Sequence, residues 1–153
     1  MYITEHFTLS ELTTTSTGLP NTPGPAELAA LKRLCVEALE PIRDVVGPLR
    51  VTSGYRSRAV NDAIRGSRTS AHMRGLAADV QPVSMLLDEA FAAALRKMAG
   101  GLPLDQLIYY VRPPGKGWLH VGISVGAARR EILVNLPGGT CESWSSYRGP
   151  MYS

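Results

Sequence analysis

The chain has 153 residues, of which 44% are hydrophobic and 19% are charged, and its formal net charge is +3. The apolar fraction excludes a disordered chain, and no stretch approaches the roughly 18 consecutive apolar residues of a membrane span. Two cysteines and three histidines exclude an all-thiolate zinc site and an iron–sulfur cluster, so a metal site would need histidine and carboxylate ligands. The Lys and Arg residues are scattered, whereas nucleic-acid binders usually cluster them.

Helices dominate the first half of the chain and short strands the second half. In chain order, we predict a helix over 7–12, a helix over 25–46, a strand over 49–53, a helix over 57–64, a strand over 75–80, a helix over 83–98, and strands over 104–111, 118–124 and 131–136. Thr8 and Glu11 form a capping box, Ser57 is an N-cap, and Pro41 is expected to bend or split the second helix.

This element order predicts an α+β fold with a mainly antiparallel sheet flanked by helices. No long linker divides the chain, so residues 1–153 are expected to form a single domain with an irregular tail from about residue 137. Cys35 lies in a helical pattern and Cys141 in the tail, and we expect both to be free thiols.

Two polar clusters lie in otherwise small or apolar stretches, over residues 70–79 and 118–122. His72, Asp79 and His120 could supply three zinc ligands and leave one position open for water. Gly75 would let the chain turn between the first two of them. Spacing alone leaves two alternatives: a pair of core histidines, or one helix face on which His72 and Asp79 have no function.

The pattern Ser70-x-His72-x-x-Gly75-x-Ala77-x-Asp79, followed by Trp118-x-His120, resembles the zinc signature of the D-Ala-D-Ala metallopeptidase family. That family includes zinc D-Ala-D-Ala carboxypeptidases and phage or bacterial L-alanyl-D-glutamate endopeptidases that cut peptidoglycan, such as phage endolysins, and its domain shares a fold with the hedgehog signalling domain. The segments 51–57 and 105–108 fall in the expected order for this family.

The resemblance implies Zn²⁺ held by His72, Asp79 and His120, with a metal-bound water as the nucleophile. It also implies that Arg56 holds or polarises the substrate and that Ser70 lies near it. Without the resemblance, Arg56 would be interpreted as a surface arginine, Ser70 as a loop residue bonded to its own backbone, and Asp79 as a capping carboxylate. His6 is interpreted as surface or structural.

One departure concerns the general base, because Tyr110 stands where the family pattern places an acid. No Asp or Glu occurs between Gln106 and His120, and tyrosine, with a pKa of about 10, is a poor base at neutral pH. Asp105 is the nearest preceding acid, but positions five apart on a strand point to opposite faces. Either another carboxylate folds into the site, or Tyr110 stabilises an oxyanion, or hydrolysis is impaired, unless the alignment is off by a residue or two.

Three functions remain as hypotheses: a zinc peptidase acting on bacterial peptidoglycan, a zinc-retaining cell-wall binding module without activity, and a structural or virion protein. We expect a monomer that binds neither nucleic acid nor membrane. The first residues lack the features of a secretory signal, so we expect synthesis in the cytoplasm and action at the cell wall during phage lysis or as a virion component. The loops 13–24 and 112–117 are expected to border the substrate groove, and the cleaved bond stays open.

Overall fold

The computed structural model describes residues 1–149 of the chain, which form one mixed sheet with helices packed on one of its faces. The five α-helices of this range are α1 (Leu9–Thr13), α2 (Pro25–Leu34), α3 (Glu40–Val46), α4 (Arg58–Ala63) and α5 (Leu87–Ala99). A π-helical turn, Cys35–Leu39, joins α2 to α3, and a 3₁₀ helix, Ala71–Arg74, precedes the second strand. None of the helices described has the length and hydropathy needed to cross a membrane.

The six strands of the sheet are β1 (Leu49–Ser53), β2 (Ala77–Pro82), β3 (Gln106–Tyr110), β4 (Trp118–Gly122), β5 (Glu131–Asn135) and β6 (Cys141–Ser143), in the spatial order β1-β2-β4-β3-β5-β6. Every neighbouring pair is antiparallel except β3 and β5, which run parallel. The predicted α+β class with a mainly antiparallel sheet is therefore confirmed.

The two faces of the sheet have different roles. Alternate residues of the central strands, including Leu107, Tyr109, Leu119 and Val121, are buried against the helices. On this side the ring of Phe91 in α5 lies 5.1 Å from the ring of Tyr109. The opposite face, which carries Asp79, Ile108 and His120 and borders a cavity, we call the open face. Because strand side chains alternate with a period of two, the residues between the core positions all point to it.

Pro41 interrupts the long helix at the predicted place, and the structure shows how. The Glu40 amide donates to the carbonyl of Cys35, five residues back, in the wider spacing of a π turn. In a regular α-helix the ring of Pro41 would clash with the carbonyl of Glu37, and a π turn at this point relieves such a clash. The chain therefore stays helical from 25 to 46 instead of ending at the proline.

The tail from residue 137 was expected to be irregular, and this prediction is wrong for its first part. Gly138 and Gly139 adopt φ angles of +94° and +92°, which lets the chain reverse so that β6 pairs with β5. After β6, the Trp144 ring packs edge-on against Phe91 at 5.0 Å. Residues 150–153 lie outside the described range. Both cysteines are free, with Cys35 buried and Cys141 exposed.

Candidate metal centre

Three side chains from the two predicted motifs meet on the open face. Asp79 of β2 and His120 of β4 are directly opposite each other in the strand register, and His72 approaches from the 3₁₀ helix. His120 Nδ1 lies 3.0 Å from Asp79 Oδ1, and His72 Nε2 lies 3.3 Å from both of those atoms. All three residues are buried to more than nine tenths of their surface. The structure thus brings together the three residues predicted as ligands.

The main chain around His72 fixes which of its nitrogens faces the cluster. Its Nδ1 lies 2.7 Å from the carbonyl oxygen of Gly54, and a carbonyl can only accept, so Nδ1 carries the proton. In the neutral ring, Nε2 then presents a lone pair toward Asp79 and His120. This is the arrangement typical of a metal-bound histidine whose second nitrogen is oriented by a carbonyl.

Gly75 provides the turn that separates His72 from Asp79, as predicted. It has a φ of +69° and ends the 3₁₀ helix, two residues before β2 begins. A side chain there would also place its Cβ 2.5 Å from the carbonyl oxygen of Glu27 in α2. Glycine therefore satisfies both the backbone conformation and the close approach of α2.

Arg56 holds the second oxygen of the aspartate. Its Nη2 donates to Asp79 Oδ2 over 3.1 Å and its Nε donates to Ser53 Oγ over 2.9 Å. Burial would raise the pKa of Asp79, but the neighbouring His120 and His72 side chains lower that pKa to well below the usual range. Asp79 is thus an oriented carboxylate whose Oδ1 is turned toward the ring nitrogens of His72 and His120.

The donor set fits a tetrahedral divalent metal such as zinc. With metal–ligand bonds of about 2.0–2.1 Å, two ligand atoms of a tetrahedral zinc lie about 3.3 Å apart. The three donor atoms here are separated by 3.0, 3.3 and 3.3 Å. Two nitrogens and one carboxylate oxygen leave a fourth position toward the solvent, which is the arrangement of catalytic zinc sites.

A cavity of about 490 Å³ opens above this cluster. The open face forms one wall, and the loop that includes Gly66, Ser67, Thr69 and Ser70 forms the other. The Ser70 side chain lines the cavity and makes no hydrogen bond to any residue of 1–149, so its hydroxyl is available to a bound molecule. Arg56 also lines the cavity, so both residues predicted to lie near the substrate do border the cluster.

Tyr110 lines the same cavity and stacks on Trp118, with ring centroids 4.4 Å apart and planes inclined by 12°. Burial and then the negative charge of Asp79 raise the pKa of its hydroxyl. The phenol therefore stays protonated at neutral pH, where it can donate a hydrogen bond but cannot serve as a base.

Among residues 1–149, Asp79 is the one carboxylate that lines the cavity. Asp105 is engaged by Arg129, whose Nη2 lies 2.8 Å from its Oδ2. Glu131, on the open face, accepts a hydrogen bond of 2.6 Å from the Gln106 side chain. The sequence left open that a carboxylate from elsewhere folds into the site. Among residues 1–149, no such carboxylate is seen.

The prediction that the loops 13–24 and 112–117 border the substrate groove stays a prediction, since neither loop lines the cavity itself. The cavity wall comes from the segment 66–71, whereas residues of the loops 13–24 and 112–117 line separate neighbouring cavities. Two residues near the cluster were not predicted from the motifs: Gln106, which lines the cavity, and Arg112, which lies over the rings of Tyr110 and Trp118. The period-two alternation of β3 was a signal for Gln106, since positions 106 and 110 share a face.

The comparison with protein families shows to which family the chain belongs. Residues 5–112 match the family model described as Peptidase M15. The chain belongs to this family. Membership implies a metal-dependent peptidase, and the His72–Asp79–His120 cluster could bind the metal.

The family match has a boundary that matters for the site. It includes His72 and Asp79 but ends before His120, so the third candidate ligand depends on the strand pairing of β2 with β4 and on the three converging atoms. A search of curated proteins finds no match.

Proposed function

We propose that this protein is a zinc-dependent peptidase that hydrolyses peptide bonds in the stem peptides of bacterial peptidoglycan. The observation that carries the proposal is the convergence of His72 Nε2, Asp79 Oδ1 and His120 Nδ1 at 3.0–3.3 Å on the floor of an open cavity. Membership of the Peptidase M15 family supports the hydrolytic activity. Peptidoglycan as substrate is part of the proposal and follows from the resemblance of the motifs.

The residues of the chain would divide the work as follows. His72, Asp79 and His120 would hold the zinc, which when bound supplies an activated water and polarises the substrate carbonyl. Arg56 keeps the carboxylate of Asp79 oriented. The Tyr110 hydroxyl, protonated at neutral pH, and the Ser70 hydroxyl can donate hydrogen bonds to a substrate in the cavity, where Tyr110 is suited to stabilise a developing oxyanion.

Metal analysis and product analysis together test the proposal. Purified protein should contain stoichiometric zinc, and mass spectrometry should identify peptide fragments released from purified peptidoglycan that disappear with a chelator. His120→Ala should lose both the zinc and the activity. His6→Ala is the matched control, because His6 pairs with Glu40 far from the cavity. A protein without stoichiometric metal would refute the proposal.

A second candidate is a zinc-retaining cell-wall binding module with impaired hydrolysis. It is favoured by a specific observation: apart from Asp79, no carboxylate among residues 1–149 lines the cavity. Tyr110→Glu would place an acid on the open face, and Tyr110→Phe is its control. Activity that appears or rises strongly only in the Glu variant favours the binding module or a weakened enzyme, whereas robust turnover by the native chain excludes the binding module.

The setting of the activity is likewise proposed. We infer action at the bacterial cell wall after phage lysis or from within a virion, by a monomer with peptidoglycan as its partner and without nucleic-acid binding. Whether the protein cleaves as a carboxypeptidase or an endopeptidase is decided by the same fragment masses.

A further inference from the structure

Arg112 has an unusual set of partners, because its guanidinium lies over two aromatic rings. Its guanidinium carbon lies 5.5 Å from the ring centroid of Tyr110 and 5.3 Å from that of Trp118. Both rings line the cavity above the metal cluster. A guanidinium over two stacked aromatic rings is held by cation–π attraction and loses little freedom when it binds a ligand.

Hydrogen bonds hold one edge of this guanidinium. Nη1 donates to the carbonyl oxygens of Val111 and Asn135, over 2.7 and 3.2 Å, and Nη2 donates to Asn135 Oδ1 over 2.8 Å. Asn135 is itself buried, with 7% of its surface exposed. The edge formed by Nη1 and Nη2 is therefore held by the Val111 carbonyl and by Asn135, the last residue of β5.

The other edge, formed by Nε–H and the second Nη2–H, has no partner among residues 1–149. No carboxylate of residues 1–149 lies within ion-pair distance of Arg112. Several other arginines do have such a partner. Those paired with a carboxylate are Arg33, Arg56, Arg58 and Arg129. Arg112 thus presents an uncompensated positive charge and two parallel donors, the geometry that binds a carboxylate with two hydrogen bonds.

We propose that Arg112 is a specificity-determining residue that binds a free carboxylate of the substrate peptide. This proposal rests on the proposed function and names the chemistry that the cavity recognises beside the metal. Tyr110 and Trp118 are paired in the register, two residues along β4 from His120, which corresponds to about 7 Å.

A stem peptide offers two sources of this carboxylate: the α-carboxylate of D-glutamate and the C-terminal carboxylate of D-alanine. The probe is the synthetic pentapeptide L-Ala-γ-D-Glu-L-Lys-D-Ala-D-Ala, compared with two derivatives in which one or the other carboxylate is converted to an amide. Dissociation constants are measured by calorimetry with the zinc-loaded protein, and peptide integrity is checked by mass spectrometry. Where a peptide is cleaved, KM from initial rates replaces the dissociation constant.

We expect one of the two amides to bind about 10-fold or more weakly than the parent peptide, because a charged hydrogen-bonded pair is lost. In Arg112→Gln the same amidation should have almost no effect. Arg112→Lys should behave like Arg112→Gln, since a lysine keeps the charge but not the fork. Arg58→Gln removes the same charge from an exposed helix, where its partner is Asp62, and should keep the full preference. Zinc content and melting temperature establish that each variant is folded.

The outcomes separate this proposal from the proposed function. Equal binding of the parent and both amides by the native protein overturns it, and so does an acid preference that persists in Arg112→Gln. A preference that depends on Arg112 in a protein that cleaves nothing supports the carboxylate site and refutes only the hydrolysis. A zinc-loaded protein that binds none of the peptides overturns both.

Discussion

Replacing Gly75 by alanine tests whether the turn at this residue holds the first two candidate ligands in place. Gly75 has a φ of +69°, and a Cβ there would lie 2.5 Å from the Glu27 carbonyl oxygen and 3.2 Å from Leu31 Cγ. Gly18 is a matched control within the same chain. Its φ is +72°, but a Cβ added to it meets no atom within 4 Å.

Both substitutions destabilise the protein through the left-handed backbone conformation, but only one of them also creates a steric clash. A left-handed conformation costs a residue with a Cβ about 1–2 kcal/mol, and both alanines incur it. Only the alanine at Gly75 must also push α2 away from the 3₁₀ helix, and forcing extra atoms into a packed site typically costs about 1–3 kcal/mol. We expect Gly75→Ala to lower the free energy of unfolding by about 2–5 kcal/mol and Gly18→Ala by about 1–2 kcal/mol.

Urea unfolding of both variants, with and without zinc, measures these differences. At about 2–4 °C per kcal/mol, the extra cost at Gly75 should lower the melting temperature by several degrees more than Gly18→Ala does. Because the shifted segment contains His72, Gly75→Ala should also weaken zinc binding, whereas Gly18→Ala should not. Equal destabilisation by the two substitutions, or native zinc affinity in Gly75→Ala, would refute the proposed link between this turn and the metal centre.

Three further predictions concern other parts of the molecule. Arg56→Lys cannot keep both hydrogen bonds that orient the carboxylate ligand, so zinc affinity measured by chelator competition should fall about 10-fold or more, and unchanged affinity contradicts this role. Burial raises the pKa of Cys35 to about 12, so a thiol reagent at neutral pH should label Cys141 alone in the native protein, and rapid labelling of both would contradict the packing. The hydrogen bond from Arg129 lowers the pKa of Asp105, so Asp105 stabilises the fold above its unfolded pKa of about 3.9 and this stability is lost as the pH falls through its folded value. Asp105→Asn should therefore reduce stability at neutral pH but not in strong acid, as urea unfolding at both pH values would show.

The parts of the site that follow from strand alternation could be predicted from the sequence. Asp79 and His120 each lie on a strand with small or apolar neighbours, and their direct pairing needs only that β2 and β4 are adjacent. The Gly75 turn could also be predicted, because a left-handed residue between a short helix and a strand favours glycine.

The partners that come from distant parts of the chain could not be predicted. The Gly54 carbonyl that fixes the ring of His72 is 18 residues away, and no side-chain pattern identifies a carbonyl. The insertion of β3 between β4 and β5 makes one parallel pair, and this brings Asn135 beside Tyr110 and within reach of Arg112. Such contacts depend on strand order, which local periodicity does not determine.

Among residues 1–149, the cavity has no second carboxylate because of which side chains occupy the open face of the sheet. An acid could enter the cavity from β3 or β4 at the open-face positions around His120, and four of these hold Gln106, Ile108, Tyr110 and Trp118. None of the four accepts a proton at neutral pH, and the neighbouring acids outside the cavity are engaged by Arg129 and Gln106. Tyr110 lies on the same face as Ile108, two residues along β3, and Ile108 pairs with His120. Placing a carboxylate at Tyr110 is therefore a single change that would supply a proton acceptor, and the ratio of the rates of Tyr110→Glu and the native chain measures the effect of that carboxylate on catalysis.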